Sequence, residues 1–219
     1  MIKSMTGFVS KRKVLPGGRG VLINIRSLNF KYLDIHISHL PEDLEEIERP
    51  IHEEILRRIK RGRIEVSIVS VSADKGRGSS STGAAGVKKL FRTALRELEE
   101  FKVKQGQVIH SELEKITRKL IKRSVVFQDH IKKQPSDSPV LEKDIFEEVS
   151  LITFYLRHLE KILKRRESRI GKFLDFLSQE MLRESNTILA KLKDRELCLQ
   201  AIYFKEEIDR VRELAQNIE

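Results

Sequence analysis

Cysteine is nearly absent. Cys198 stands alone, so no internal disulfide can form and no thiolate-based zinc site is possible. That usage fits a reducing cytoplasm. Tryptophan is missing and tyrosine occurs three times, which argues against broad platforms of stacked bases. No stretch approaches the roughly 20 consecutive apolar residues of a membrane span. The opening "MIKSMTGFVSKRKV" has no apolar run long enough for a signal peptide. The expectation is a cytoplasmic protein with no membrane partner and no small-molecule cofactor. Two catalytic signatures are also missing. No Gly-rich phosphate cradle follows a strand, and no Ser-His-Asp arrangement is indicated.

What is present is charge. Of 219 residues, 35% are charged, and 43 Lys and Arg against 33 Asp and Glu leave a net charge of +10. An excess of this size favours a polyanionic partner, with nucleic acid ahead of an anionic membrane surface. The apolar fraction of 39% is enough for a real core in a chain of this length.

Residues 1–74 read as α+β. "IKSMTGFVS" is a first strand and "LPGGRG" a turn. "VLINIRS" and "LDIHISH" alternate in the period of a strand, with "SLNFKY" as the bend between them. Leu44, Ile47, Ile51, Ile55 and Ile59 follow helical spacing, and Pro50 should kink or split that helix. "RIKRGR" ends it with Gly62 as the cap. "RIEVSIVSVSAD" is another strand, whose alternation slips at Val69 and suggests a bulge. Residues 75–86 lie in a Gly/Ser-rich stretch that reads as a linker. Residues 87–219 read as mainly helical, beginning with two amphipathic helices over "VKKLFRTALRELEEFKV" and "HSELEKITRKLIKRS". In the last helix Leu197, Ala201, Phe204, Ile208, Val211 and Ala215 form a short heptad seam. It should pack on another helix, in this chain or a neighbour. The expected fold is therefore an N-terminal antiparallel sheet with a helix, then a mainly helical C-terminal region.

The segment "LDFLSQEMLRESNTILAK", residues 174–191, carries unusual polar variety for one helix. At 100° per residue, Leu174, Leu177, Met181, Leu182, Ile188 and Leu189 share one arc with Ser178 and Ser185. The other half carries Asp175, Gln179, Glu180, Arg183, Glu184, Asn186, Thr187 and Lys191. Glu180 and Glu184 lie one turn apart, where like charges repel by a few tenths of a kcal/mol. Nearby cations or a divalent metal would offset that repulsion.

Six runs occur in the order and rough spacing of a known family: "MIKSMTGF", "IRSLNFKYLDI", "LP" at 40–41, "RGRIEV", "LDFLSQEMLRESNT" and "QNIE". On these the chain resembles the YicC/YloC family. The resemblance covers both ends of the chain and leaves residues 75–140 without a matched motif. It implies an endoribonuclease that uses a divalent metal, manganese first and magnesium second. It also implies a homo-oligomer, a hexamer, that closes around RNA. By motif, RNA-handling residues would map to Arg26, Asn29, Arg61 and Arg63, and to Asp175, Gln179, Glu180, Arg183, Glu184, Asn186, Thr187 and Lys191. The chain departs from the family pattern at Asn24, where an acid is usual, at Phe30, and at Tyr155, where a histidine is common.

Metal-assisted RNA cleavage needs carboxylates for the ion and cations for phosphate. Glu180, Glu184 and Asp175 are the candidate catalytic groups, with Glu180, Glu184 and Asp34 as candidate metal ligands. Arg26, Lys31, Arg61 and Arg63 would hold phosphates. Each has a structural alternative. Glu180 and Glu184 can be ion-paired on the helix surface, Asp34 can satisfy Arg26, and Asp175 can cap or pair with Lys172. Arg61 can compensate a helix end, and Asn29 can hold its bend. His36 and His39 would share a metal only across a bulge. The basic run from Lys115 to Arg123 reads as a solvated face slightly ahead of an RNA-facing stripe. The rival functions are a non-catalytic RNA-binding or RNA-delivery oligomer, and a helical scaffold for a protein partner.

Overall fold

The structure is a computed structural model that describes residues 2–15, 20–70, 80–133, 145–165 and 170–219. The turn expected at "LPGGRG" and the break at "QPSDSP" fall largely outside the described residues. The fold is α+β: a four-stranded sheet with a helix, followed by a mainly helical region. The chain forms two compact units. One comprises Lys3–Gln105 with Glu219, the other Gly106–Ile218 with Ile2.

In the first unit β1 (Gly7–Val14), β2 (Gly20–Leu28), β3 (Leu33–Ser38) and β4 (Gly62–Ser70) lie in the order β1-β2-β4-β3. β1 with β2 and β2 with β4 are antiparallel, as the alternating sequences suggest. β3 instead runs parallel to β4 as an edge. A 3-10 helix (Glu42–Ile47) and α1 (Glu48–Arg58) supply the crossover that a parallel pair requires. Pro50 sits in the first turn of α1, where its missing N–H costs nothing, so it splits the helical segment as expected.

Two local expectations fail. The register from Val21↔Ser70 to Leu28↔Arg63 runs without a skipped residue, so β4 has no bulge at Val69. Val69 lies on the open face opposite Leu22. Gly62 does not cap α1, whose C-cap is Ile59. It opens β4 with φ at 108°, and a side chain there would meet the Leu28 carbonyl at 3.0 Å.

The inner face of the sheet (Val21, Ile23, Ile25, Ile64, Val66 and Ile68) is buried against Leu44, Ile47, Ile51 and Ile55. Helix α2 (Ser80–Lys133) completes this core with Ala84, Val87, Phe91, Ala94, Leu95 and Leu98. Thus residues 80–86, the second half of the Gly/Ser-rich stretch, are helical, and Ala84 joins the core. α2 is one helix of 54 residues where two were expected. No proline occurs between Pro50 and Pro135, and Gly106 inside a helix costs only about 1 kcal/mol. That is too little to end a helix whose apolar stripe continues on both sides.

The second unit packs the latter half of α2 with α3 (Phe146–Arg165), α4 (Gly171–Lys191) and α5 (Arg195–Gln216). The whole heptad seam of α5 is buried, and it packs within the chain, chiefly on α4. Asp194 caps α5, accepting from Leu197 N–H at 2.8 Å. Gly171 opens α4 under the end of α5. A Cβ there would lie 2.7 Å from the Ile218 carbonyl oxygen and 2.8 Å from that of Ala215. No described helix is long and apolar enough to cross a membrane.

Candidate functional site

The apolar half projected for α4 is buried as drawn: Leu174, Leu177, Met181 and Ile188 enter the core. Ser178 and Ser185 are buried with them. Each hydroxyl donates to the carbonyl one turn back, Leu174 and Met181 respectively, at 2.7 Å. That leaves the polar half of α4 to face solvent and the start of α3.

α3 begins with Glu147 and Glu148, acids placed at the positive end of the helix dipole. Glu148 is 7% exposed. Its Oε1 accepts from Lys191 Nζ at 2.9 Å, while its Oε2 is buried with no hydrogen-bond partner. Glu184 on α4 lies near it. Burial, then the charges of Glu148, Glu180 and Glu147, push the Glu184 carboxyl above its ordinary range, against the pull of Arg183. Glu180 is held by Arg183, whose Nη1 donates to its Oε1 at 3.1 Å. Four acids and two cations therefore gather between α3 and α4.

The other residues expected on α4 are less free. Asp175 accepts from Gln179 Nε2 at 3.0 Å on its own helix. From α5 it accepts from Arg212 Nε at 3.3 Å and Gln216 Nε2 at 3.2 Å. It ties α4 to α5 and does not pair with Lys172 as one sequence alternative had it. Thr187 donates to the Arg183 carbonyl at 3.2 Å, and Asn186 is exposed.

The second cluster lies in the sheet unit, on the open face. Because alternate residues of each strand face outward, the register aligns Phe8, Arg26, Glu65 and His36 in a row across all four strands. Ser10, Asn24, Ser67 and Ser38 form the next row. A depression of about 480 Å³ is lined by both rows and by Arg63. Asp34, far from Arg26 in register, accepts from Arg63 Nε at 2.8 Å and bonds His36 Nε2 at 3.1 Å. Burial opposes ionisation of Asp34, but the bonds to His36 and Arg63 prevail and hold its carboxyl below the ordinary range. Arg63 also stacks over Phe30 at 4.5 Å, and Lys31 over Tyr32 at 5.2 Å. Asn29 is exposed in the bend, and Arg61 is half-buried with Nε unpartnered. Arg26 is exposed and bonds none of the described residues.

The structure thus brings Glu180, Arg183, Glu184 and Lys191 together, and separately Arg26 and Arg63 around one depression, with Asp34 bonded to Arg63. Asp34 belongs to the sheet cluster and is engaged there. His36 bonds Asp34, and His39, at φ 56°, bonds Ser38 at 3.1 Å. The basic run of α2 is largely ion-paired, as with Lys119 to Glu207 at 3.6 Å and Arg118 to Glu114 at 3.5 Å. Sequence reasoning missed Glu148. Its signal was a carboxylate standing on the apolar stripe of Ile152, Leu156 and Leu159.

No three His, Cys, Asp or Glu side chains among the described residues converge as a ready ligand cage. An ion of the manganese or magnesium kind needs no such cage, being commonly held by one or two carboxylates with substrate phosphate and water. Glu148, with an orphaned buried oxygen, has the donor chemistry for it.

Residues 98–219 match the family described as endoribonuclease YicC-like, C-terminal, and residues 2–150 match endoribonuclease YicC-like, N-terminal region. A protein of Clostridioides difficile named probable endoribonuclease YicC is 22% identical over 295 aligned positions, covering 100% of both chains. A Haemophilus influenzae protein of the same name is 34% identical over 76 residues, which span 35% of this chain and 26% of that one. With two family matches that between them take in nearly every residue, the chain belongs to the YicC-like endoribonuclease family.

Proposed function

We propose that the protein cleaves RNA, with Glu184 as the group that moves the proton. The observation that carries this is the raised Glu184 carboxyl, set among Glu147, Glu148 and Glu180. A carboxylate with heightened proton affinity is a stronger base near neutral pH than an ordinary one. Glu184 would take the proton of the attacking hydroxyl as it adds to phosphorus. The bond to the leaving ribose oxygen breaks, and that oxygen takes a proton from solvent water, while Glu184 returns its own proton to solvent. Arg183, exposed beside Glu180, would meet the scissile phosphate, and Asn186 the ribose or base. Arg26, Lys31, Arg61 and Arg63 would grip backbone phosphates of the same RNA class.

Glu148, whose second oxygen has no partner, would hold a divalent metal together with substrate phosphate and water, and the metal would supply polarisation of a phosphate oxygen, while Glu184 stays free for the proton. Family likeness alone supports manganese as the preferred ion and a homohexameric ring as the assembly.

Incubating a structured RNA with the purified protein, manganese and then chelator tests this. Cleavage that needs the ion and drops at least 100-fold in Glu184→Gln is expected. Binding without cleavage would leave an RNA-binding oligomer, and a monomeric mass in solution would remove the ring.

A further inference from the structure

We propose that the open face of the sheet holds a single unpaired base of the bound RNA, and that guanine fits it best. This rests on the RNA reading above and goes beyond its phosphate contacts. Phe8 is 57% exposed at the end of the row that continues through Arg26 and Glu65. An aromatic ring left bare beside an arginine is a stacking surface with a phosphate clamp next to it. The scarcity of aromatics that excludes a broad platform is compatible with a one-base subsite.

The row also supplies an edge reader. Glu65 bonds none of the described residues, although Arg26 is its direct cross-strand partner. A free carboxylate presents two acceptors side by side. Among the four RNA bases only guanine offers two adjacent donors, N1–H and the N2 amino group, on its pairing edge. Adenine and cytosine offer one amino group there, and uracil one N–H. Asn24 and Ser67, opposite each other in the next row, can bond the remaining edge or the ribose 2′-hydroxyl. A depression of about 480 Å³ lies within the size range of small-ligand pockets. Arg63 is paired with Asp34, which leaves Arg26, with no bond to a described residue, as the cation of this face that meets phosphate.

The test uses the full-length protein, two labelled hexamers (UUUGUU and UUUUUU) and the variants Phe8→Ala and Glu65→Gln, with binding read by anisotropy. Circular dichroism and the thermal midpoint establish that both exposed-face variants fold. The expected result is about tenfold tighter binding of the guanine hexamer by the native chain. Glu65→Gln should erase that preference while leaving the all-uridine affinity within about twofold. Phe8→Ala should weaken both hexamers about tenfold. If the protein cleaves RNA but neither variant changes affinity or preference, the subsite is overturned and the RNA reading stands. If no RNA is bound or cut, both fail. If Phe8→Ala instead lowers the mass of the assembly and leaves RNA binding unchanged, the face is a contact between copies and the proposal is overturned.

Discussion

Lys191 Nζ lies 2.9 Å from Glu148 Oε1, joining the end of α4 to the first turn of α3. The carboxylate is 9% exposed and the lysine 25%. Removing one partner of a buried pair strands the other charge, whereas removing both is much less harmful. Water still reaches the lysine, so the cost falls below that of a fully buried pair. Lys191→Met should destabilise the protein by about 2 kcal/mol, measured by urea unfolding. The double variant with Glu148→Leu should recover at least half of that loss. Additive losses would show that the two side chains are not coupled.

Glu184 should trade stability for activity. Its folded-state proton affinity is raised, so the folded chain binds the proton more tightly than the unfolded one. Its contribution is therefore favourable at low pH and is lost as pH rises from the ordinary value of 4.5 through the raised one. Glu184→Gln should remove that part of the decline and gain about 0.5 kcal/mol at neutral pH. Unfolding curves across pH 4 to 8 check it, and an unchanged pH slope in the variant would contradict the assignment.

Metal binding should show without any catalysis. An ion that binds the folded chain alone raises its thermal midpoint. Manganese is expected to raise it in the native protein, chelator to reverse the shift, and Glu148→Gln to abolish it. A shift that survives in Glu148→Gln would place the ion elsewhere.

Asp175 should behave as a tie between helices. Its bonds reach Gln179, Arg212 and Gln216, and the side chain is 28% exposed. Asp175→Ala should cost about 1 to 2 kcal/mol by urea unfolding. RNA cleavage at saturating substrate should stay within about threefold. A 100-fold loss of turnover in a folded variant would return it to the catalytic group.

Gly62→Ala should be more harmful than an alanine substitution at an exposed strand position. The residue holds φ 108° and its missing Cβ would sit 3.0 Å from the Leu28 carbonyl oxygen. A loss of about 2 kcal/mol is expected, read from the urea midpoint.

The sequence by itself determined the periodic elements and their buried faces. Val21, Ile23 and Ile25 alternate because successive side chains of a strand point to opposite sides. Leu197, Ala201 and Phe204 recur because a helix turns every 3.6 residues. Such patterns are local, and the α5 seam and the apolar half of α4 are buried as their spacing requires. The ordered motifs at both ends carried the family on the same terms.

Only the tertiary structure decided which distant groups meet. Nothing in the strand sequences says that β4 enters between β2 and β3, yet that insertion sets Glu65 between Arg26 and His36. Nor does the polar half of α4 reveal that Asp175 belongs to Arg212, 37 residues on, or that Glu148 lies against Lys191. Partners far apart in sequence are chosen by how apolar faces pack. The charge of a carboxylate then follows from the neighbours that packing assigns to it. That is why Glu184 could be named from the sequence as a candidate, while the cause of its raised proton affinity could not.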